Sequence, residues 1–157
     1  MKRILFALAM VSLFLSTCGE NIPNEVLAKD YWARSGMKDG NSAAYMLIQN
    51  GTDQDDELVG VSSNAAQAVE LHLSRMKADG TMEMAQQQSI TIPAGKAVEL
   101  KSGSYHVMLI GLTRDLKSGD EISLTLKFKN SADLTLTIPV KDAEGMDGGG
   151  MEEGQMP

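Results

Sequence analysis

The chain has two histidines, His72 and His106, and each stands among methionines. In Tyr105-His106-Val107-Met108-Leu109 the two-residue alternation of a strand puts His106 and Met108 on one face, with Val107 and Leu109 on the other. In Val69-Glu70-Leu71-His72-Leu73 it sends Val69, Leu71 and Leu73 to a core and His72 outward. Met82 and Met84 share a face of their own short run. Thioether sulfur is a soft, uncharged ligand and imidazole a borderline one, so two of each suit Cu(I). Zinc and iron take thiolates, carboxylates or more histidines. Thioethers have no proton to lose, so such a site works over a wide pH range, limited by its imidazoles. Two readings stay open at this point: an exposed site for Cu(I), or methionines filling core gaps beside surface histidines.

These residues must be carried by strands. From Asp30 to about Val140 the chain runs in short stretches of period-two alternation broken by Gly, Asn, Asp and Ser. The expected strands are 30–33, 43–49, 57–62, 68–75, 82–85, 97–101, 105–112, 121–129 and 134–140. Ser123-Leu124-Thr125-Leu126-Lys127-Phe128 and Leu134-Thr135-Leu136-Thr137-Ile138 alternate most cleanly. Turn residues lie between the runs at Asn50-Gly51, Asp79-Gly80, Pro93-Ala94-Gly95, Ser102-Gly103 and Ser118-Gly119-Asp120. No segment reads as a long amphipathic helix. Regular short strands over about 110 residues indicate an all-β fold, an antiparallel β-sandwich.

The 157 residues suffice for one domain. Lys and Arg total 14 against 21 Asp and Glu, a net charge of −7. Without Lys2 and Arg3 the balance is 12 − 21 = −9. A net anion with no basic cluster has nothing to neutralise phosphates, which excludes nucleic acid as a partner. Residues 1–18 read as an export signal: Met1-Lys2-Arg3, an apolar run from Ile4 to Leu15, then Ser16-Thr17-Cys18. The apolar run is too short for a bilayer core, which needs about 20 residues. Leu15-Ser16-Thr17-Cys18 resembles a bacterial lipobox, with Thr17 in place of the usual Gly, Ala or Ser. Cys18 would then be the lipidated first residue of an extracytoplasmic, membrane-anchored lipoprotein. Residues 19–29 form a tether, 30–141 the folded domain, and 142–157 a Gly, Met and acidic tail expected to be disordered.

The stretches Ala44-Tyr45-Met46, Val69-Glu70-Leu71-His72, Ile92-Pro93-Ala94-Gly95, Tyr105-His106-Val107-Met108-Leu109 and Pro139-Val140 carry a resemblance. Together they look like the periplasmic copper chaperone family PCuAC, over roughly residues 31–140. The family motif is His, ten residues, Met, 21 residues, then His-X-Met. Between Met84 and His106 lie residues 85–105, which is 21, and His106-Val107-Met108 completes the pattern. Between His72 and Met84 lie residues 73–83, which is 11, so the turn near Lys77-Ala78-Asp79-Gly80 is one residue longer. Met82 therefore remains a rival to Met84. The resemblance implies a cupredoxin-like Greek-key β-sandwich, a monomer, holding one Cu(I) with His72, Met84, His106 and Met108. It also implies delivery to the binuclear CuA centre of cytochrome c oxidase subunit II, in cooperation with a Sco-type thiol protein. A blue-copper electron-transfer site needs a Cys thiolate. Cys18 is the only cysteine and stands at the export boundary, far from either histidine.

Met146, Met151 and Met156 make the tail a candidate for secondary copper capture, with Met82 beside them in that role. The tail reads equally well as an acidic solubiliser. Asp53-Gln54-Asp55-Asp56-Glu57 invites calcium, but it lacks the spacing and glycine of an EF-hand loop and reads as a charged hairpin connection. No GxSxG, HExxH, P-loop or GxGxxG motif is present, so an enzyme is not expected. Two alternatives to delivery stand: a periplasmic copper buffer or resistance protein, and a metal-free β-sandwich interaction lipoprotein. The metal-free protein predicts that His72 and His106 lie far apart.

Overall fold

Burial alternates along most of the chain. On Ser42–Asn50 the even-numbered Ala44, Met46 and Ile48 are sealed in the core while Tyr45, Leu47 and Gln49 are half-buried. A strand patterned this way hides one face only against a second layer. The computed structural model describes residues 23–142, and among them the layers are built from ten strands. These are β1 (Val26–Arg34), β2 (Ser42–Asn50), β3 (Asp56–Ser63), β4 (Ala66–Met76) and β5 (Met82–Gln87), then β6 (Ile90–Ile92), β7 (Ala97–Leu100), β8 (Tyr105–Leu112), β9 (Glu121–Phe128) and β10 (Leu134–Lys141). The proposed lipidation residue Cys18 and the tail methionines Met146, Met151 and Met156 lie outside the described residues.

The strand order is β5-β4-β8-β2-β1-β10-β9-β3-β6, with β7 also paired to β2. Every pairing is antiparallel except β1 with β10, where Ala33 lies opposite Val140. That parallel seam joins the two halves of the sandwich. Ala44, Ile48, Leu71, Val107 and Leu109 from the first half share one core with Leu58, Ile122, Leu124, Leu126 and Ile138 from the second. Each fully buried Leu or Ile contributes about 1.5–3 kcal/mol relative to exposure. The fold is the all-β, cupredoxin-like sandwich expected, and Met46 is in its core.

Three details depart from the expected elements. β6 was not foreseen, because three residues are too few to display alternation; it completes the edge through Ile90, paired with Leu58, and Ile92, paired with Asp56. β1 begins at Val26, inside the expected tether, and Val26 is buried opposite Asn50. A bulge between Lys29 and Trp32 then shifts the β1–β2 register by one, with Asp30 at φ 52°. The extra residue reverses which side chains face inward. Before it the even-numbered Val26 and Ala28 pack on the core; after it Ala33 does, and Trp32 is turned to the opposite face.

Candidate metal centre

The outer face of the β5-β4-β8 half is laid out by register. Directly opposed residues share a face, as do residues two apart on one strand. His72 on β4 lies opposite His106 on β8, and Glu70 lies opposite Met108. On the other side of β4, His72 lies opposite Gln86, Ser74 opposite Met84, and Met76 opposite Met82. All these residues therefore occupy one face, while Leu71, Val107 and Leu109 take the core face. The structure brings His72, His106 and Met108 into adjacent positions. Met84 stands one row away, diagonal to His72 and within reach of a long side chain, and Met82 stands two rows away.

The imidazole rings have centroids 5.9 Å apart at 48°. A metal–imidazole bond is about 2 Å and a ring centroid lies about 1 Å behind its nitrogen, so two histidines sharing an ion have centroids about 6 Å apart or less. Each ring already spends one nitrogen. His106 Nδ1 donates to the Ser104 carbonyl at 3.0 Å. His72 Nε2 donates to Glu70 Oε2 at 2.8 Å. A carbonyl and a carboxylate can only accept, so these nitrogens carry the protons and the lone pairs fall on His106 Nε2 and His72 Nδ1. His72 Nδ1 is buried with no hydrogen-bond partner. A buried polar atom left in that state costs about 1–3 kcal/mol, and a soft cation would relieve it. A ring held by a carboxylate or carbonyl on its far nitrogen is the usual support for a metal-ligating histidine.

The ligands lie on the outward face, as expected, but the histidines are not exposed there. His106 is 4% exposed and the His72 side chain 14%. β8 is a central strand, flanked on this face by β4 and β2, and its neighbours close over it. Ala43 lies opposite Met108, so Tyr45, two residues on, is on the same face; Trp32 is opposite Tyr45, their rings 4.8 Å apart. Met84 is 54% exposed and Met82 56%. The sequence pattern assigns no role to Glu70 or to the Ser104 carbonyl. Glu70 was legible in Glu70-Leu71-His72, two residues from the histidine on a strand, whereas a backbone carbonyl leaves no mark on side-chain identity.

Among the described residues no three His, Cys, Asp or Glu side chains are grouped to hold an ion, so a site on this face needs its thioethers. The adjacency of His72 and His106 removes what the metal-free alternative required. The acidic run is a connection only as far as Asp55, because Asp56 and Glu57 open β3; Asp56 is buried and accepts backbone N–H groups from Glu57 at 2.7 Å, Asn130 at 3.0 Å and Ser131 at 2.9 Å. Burial pushes its carboxyl up, but the hydrogen bonds from Ser131, Asn130 and Glu57 outweigh it and hold the pKa below the ordinary value.

The family comparison decides the lineage. Residues 26–140 match the family model described as "Putative lipoprotein LpqE-like". The chain belongs to the LpqE-like family. This LpqE-like chain is 29% identical over 147 residues to "Putative lipoprotein Lxx21020" of Leifsonia xyli, covering 87% of the chain and 88% of the relative. Its fold is that of PCuAC domains, as the motif implied. The copper-bound PCuAC domain of PmoF2 superposes with a TM-score of 0.64 at 24% identity, over 76% of this chain and 94% of that one. The solution structure of CuI-DR1885 from Deinococcus radiodurans superposes at 0.56 with 29% identity, over 80% of this chain and 83% of that one.

Proposed function

We propose that this protein is an exported carrier of Cu(I), holding the ion with His72, His106, Met108 and Met84 and delivering it to the CuA site of cytochrome c oxidase subunit II. The observation that carries the reading is the cross-strand pair of histidines, each with one nitrogen committed and the other free, beside Met108. The related DR1885, solved as its CuI form, supports the choice of cargo and oxidation state. Met84 is preferred to Met82 because it lies one row from His72 rather than two. Copper is a substrate here, picked up and surrendered, and neutral imidazoles with thioethers suit that task. They bind a soft ion without the thiolates that would make release slow.

Delivery would take place outside the cytoplasm, from a lipid anchor at Cys18, with a Sco-type thiol protein as co-worker. The family's lipoprotein description supports the anchor. Met146, Met151 and Met156 would be accessory capture residues. The exposed Met76, Met82 and Met84 favour a second reading, a periplasmic buffer whose extra thioethers supply capacity.

An anaerobic Cu(I) titration of residues 19–157 against a chromogenic chelator tests the proposal, with a parallel chain ending at Lys141. One tight equivalent, kept without the tail and lost in His106→Ala, is the expected result. Several equivalents lost with the tail would favour buffering, and no competition with the chelator would refute copper carriage. Loss of the gene separates the two copper roles: failed oxidase assembly under copper limitation means delivery, copper sensitivity with intact oxidase means sequestration.

A further inference from the structure

Among the described residues five large apolar side chains are exposed, and three of them, Met76 at 65%, Met82 and Met84, stand together on the β4–β5 hairpin. Packing does not explain them, since they lie on the face away from the core. Met76 and Met82 are direct cross-strand partners, which places their Cβ atoms about 4.5–5.5 Å apart. Two flexible side chains of that length can bring both sulfurs onto one ion. The next pair inward is Ser74 with Met84, and the next is Gln86 with His72, which in turn faces His106. Thioethers thus run from the turn end of the hairpin toward the histidine pair in steps of two residues, about 7 Å of strand each. Ser74 is the only side chain between Met84 and β8 in its row, and it is small.

Charge is arranged to suit a cation on this run. Arg75 and Glu83 are opposed on the other face of the hairpin by alternation, with Arg75 Nε 3.9 Å and Lys77 Nζ 3.6 Å from the Glu83 carboxylate. The two basic side chains beside the methionines are therefore held by Glu83, away from the thioether face.

The inner pair creates the need for such a run. His106 is nearly sealed, so an acceptor cannot approach the ion from its side; exchange must begin where ligands are accessible. We propose that Met76 and Met82 form an outer, lower-affinity thioether site for Cu(I), through which the ion passes by way of Met84 to and from His72 and His106. The inference rests on the copper reading above and adds a second site to it. Ligand exchange balances at each step, because an incoming thioether bonds to Cu(I) as an outgoing one or an imidazole leaves, with no proton or electron moved.

The test uses the intact chain labelled with 13C at the methionine methyls, titrated anaerobically with Cu(I) and, separately, with redox-silent Ag(I). Met76→Leu and Met82→Leu assign the two outer resonances; both positions are exposed, and Met-to-Leu conserves volume, so folding is unaffected. The first equivalent should shift the methyls of Met84 and Met108, and further metal those of Met76 and Met82. The double variant should transfer Cu(I) to a chelating acceptor several-fold more slowly while its first equivalent binds as tightly as before. Shifts at Met84 and Met108 with none at Met76 and Met82 would overturn the outer site alone. An unchanged transfer rate in the double variant would overturn the route. Silence at Met84 and Met108 would instead refute the inner site.

Discussion

Two clusters of metal-ligand residue types sit toward opposite ends of the strand order, and they differ in what their atoms are already doing. Where the chain enters β3, Asp56 spends its carboxylate on three backbone N–H groups, Asp55 Oδ1 accepts from Ala94 N at 2.8 Å, and Glu57 is paired with Lys129 at 2.6 Å. On the outer face of β4 and β8, each histidine is fixed through one nitrogen, one lone pair is buried without a partner, and thioethers stand in solvent. The acidic run is richer in charge, yet Asp55, Asp56 and Glu57 are engaged by the fold, and the run acts as a staple between neighbouring segments. The histidine–methionine face has its supporting hydrogen bonds made and its coordinating atoms free. Residue type nominates a site, and the satisfaction of donors and acceptors separates a staple from the face proposed here to hold copper.

The difference between the two clusters should be largest at His106. His106→Ala should abolish the tight Cu(I) equivalent in chelator competition while calcium addition to the native chain leaves the thermal midpoint where it was. Next in size, Asp56→Ala should cost about 1–2 kcal/mol in denaturant unfolding, since it takes their shared acceptor from three N–H groups that are only partly buried, and leave Cu(I) affinity unchanged. The folded Asp56 pKa is below its unfolded value. Its stabilisation is therefore complete above the ordinary Asp range and is lost as pH falls through the lowered folded value. Acid unfolding of Asp56→Ala should accordingly be flatter than that of the native chain below about pH 4. A native-like acid profile in the variant would remove Asp56 from the account.

Glu70→Leu should weaken Cu(I) binding about 10–100-fold, the usual cost of losing a partner behind a metal-bound histidine. Glu70→Gln, whose carbonyl can still accept the Nε2 proton, should lose less, and 15N spectra should show His72 keeping its tautomer in Gln but not in Leu. Equal losses in both would reduce Glu70 to a simple charge effect. The smallest contrast sharpens the ligand choice: Met84→Leu should weaken the first equivalent and Met82→Leu should not. Both should stay within about 0.5 kcal/mol of native stability, as exposed substitutions do.

Much of this was legible because strands speak a two-letter alphabet. Alternation placed His106 with Met108, set Leu71 and Val107 against the core, and located most strands within a few residues. It reports the face of a side chain, however, and not how far neighbouring strands close over it. His106 therefore read as exposed although a central strand buries it. Alternation also fails at a bulge: one extra residue near Asp30 reverses the parity of β1, moving Trp32 to the outer face and hiding the start of the strand at Val26. The three residues of β6 were too few to show a period. That Met76 and Met82 are opposed follows from the length of the hairpin turn, which sequence spacing alone does not settle.

X-ray absorption at the copper edge of the chain carrying one equivalent of Cu(I) reads the proposed ligand set from the metal itself. A mixed shell of imidazole nitrogen and thioether sulfur, with the sulfur contribution falling in Met108→Leu and the imidazole contribution in His72→Ala, is the predicted result. A shell of oxygen and nitrogen without sulfur, or one indifferent to both substitutions, would contradict the assignment of this face as a copper site.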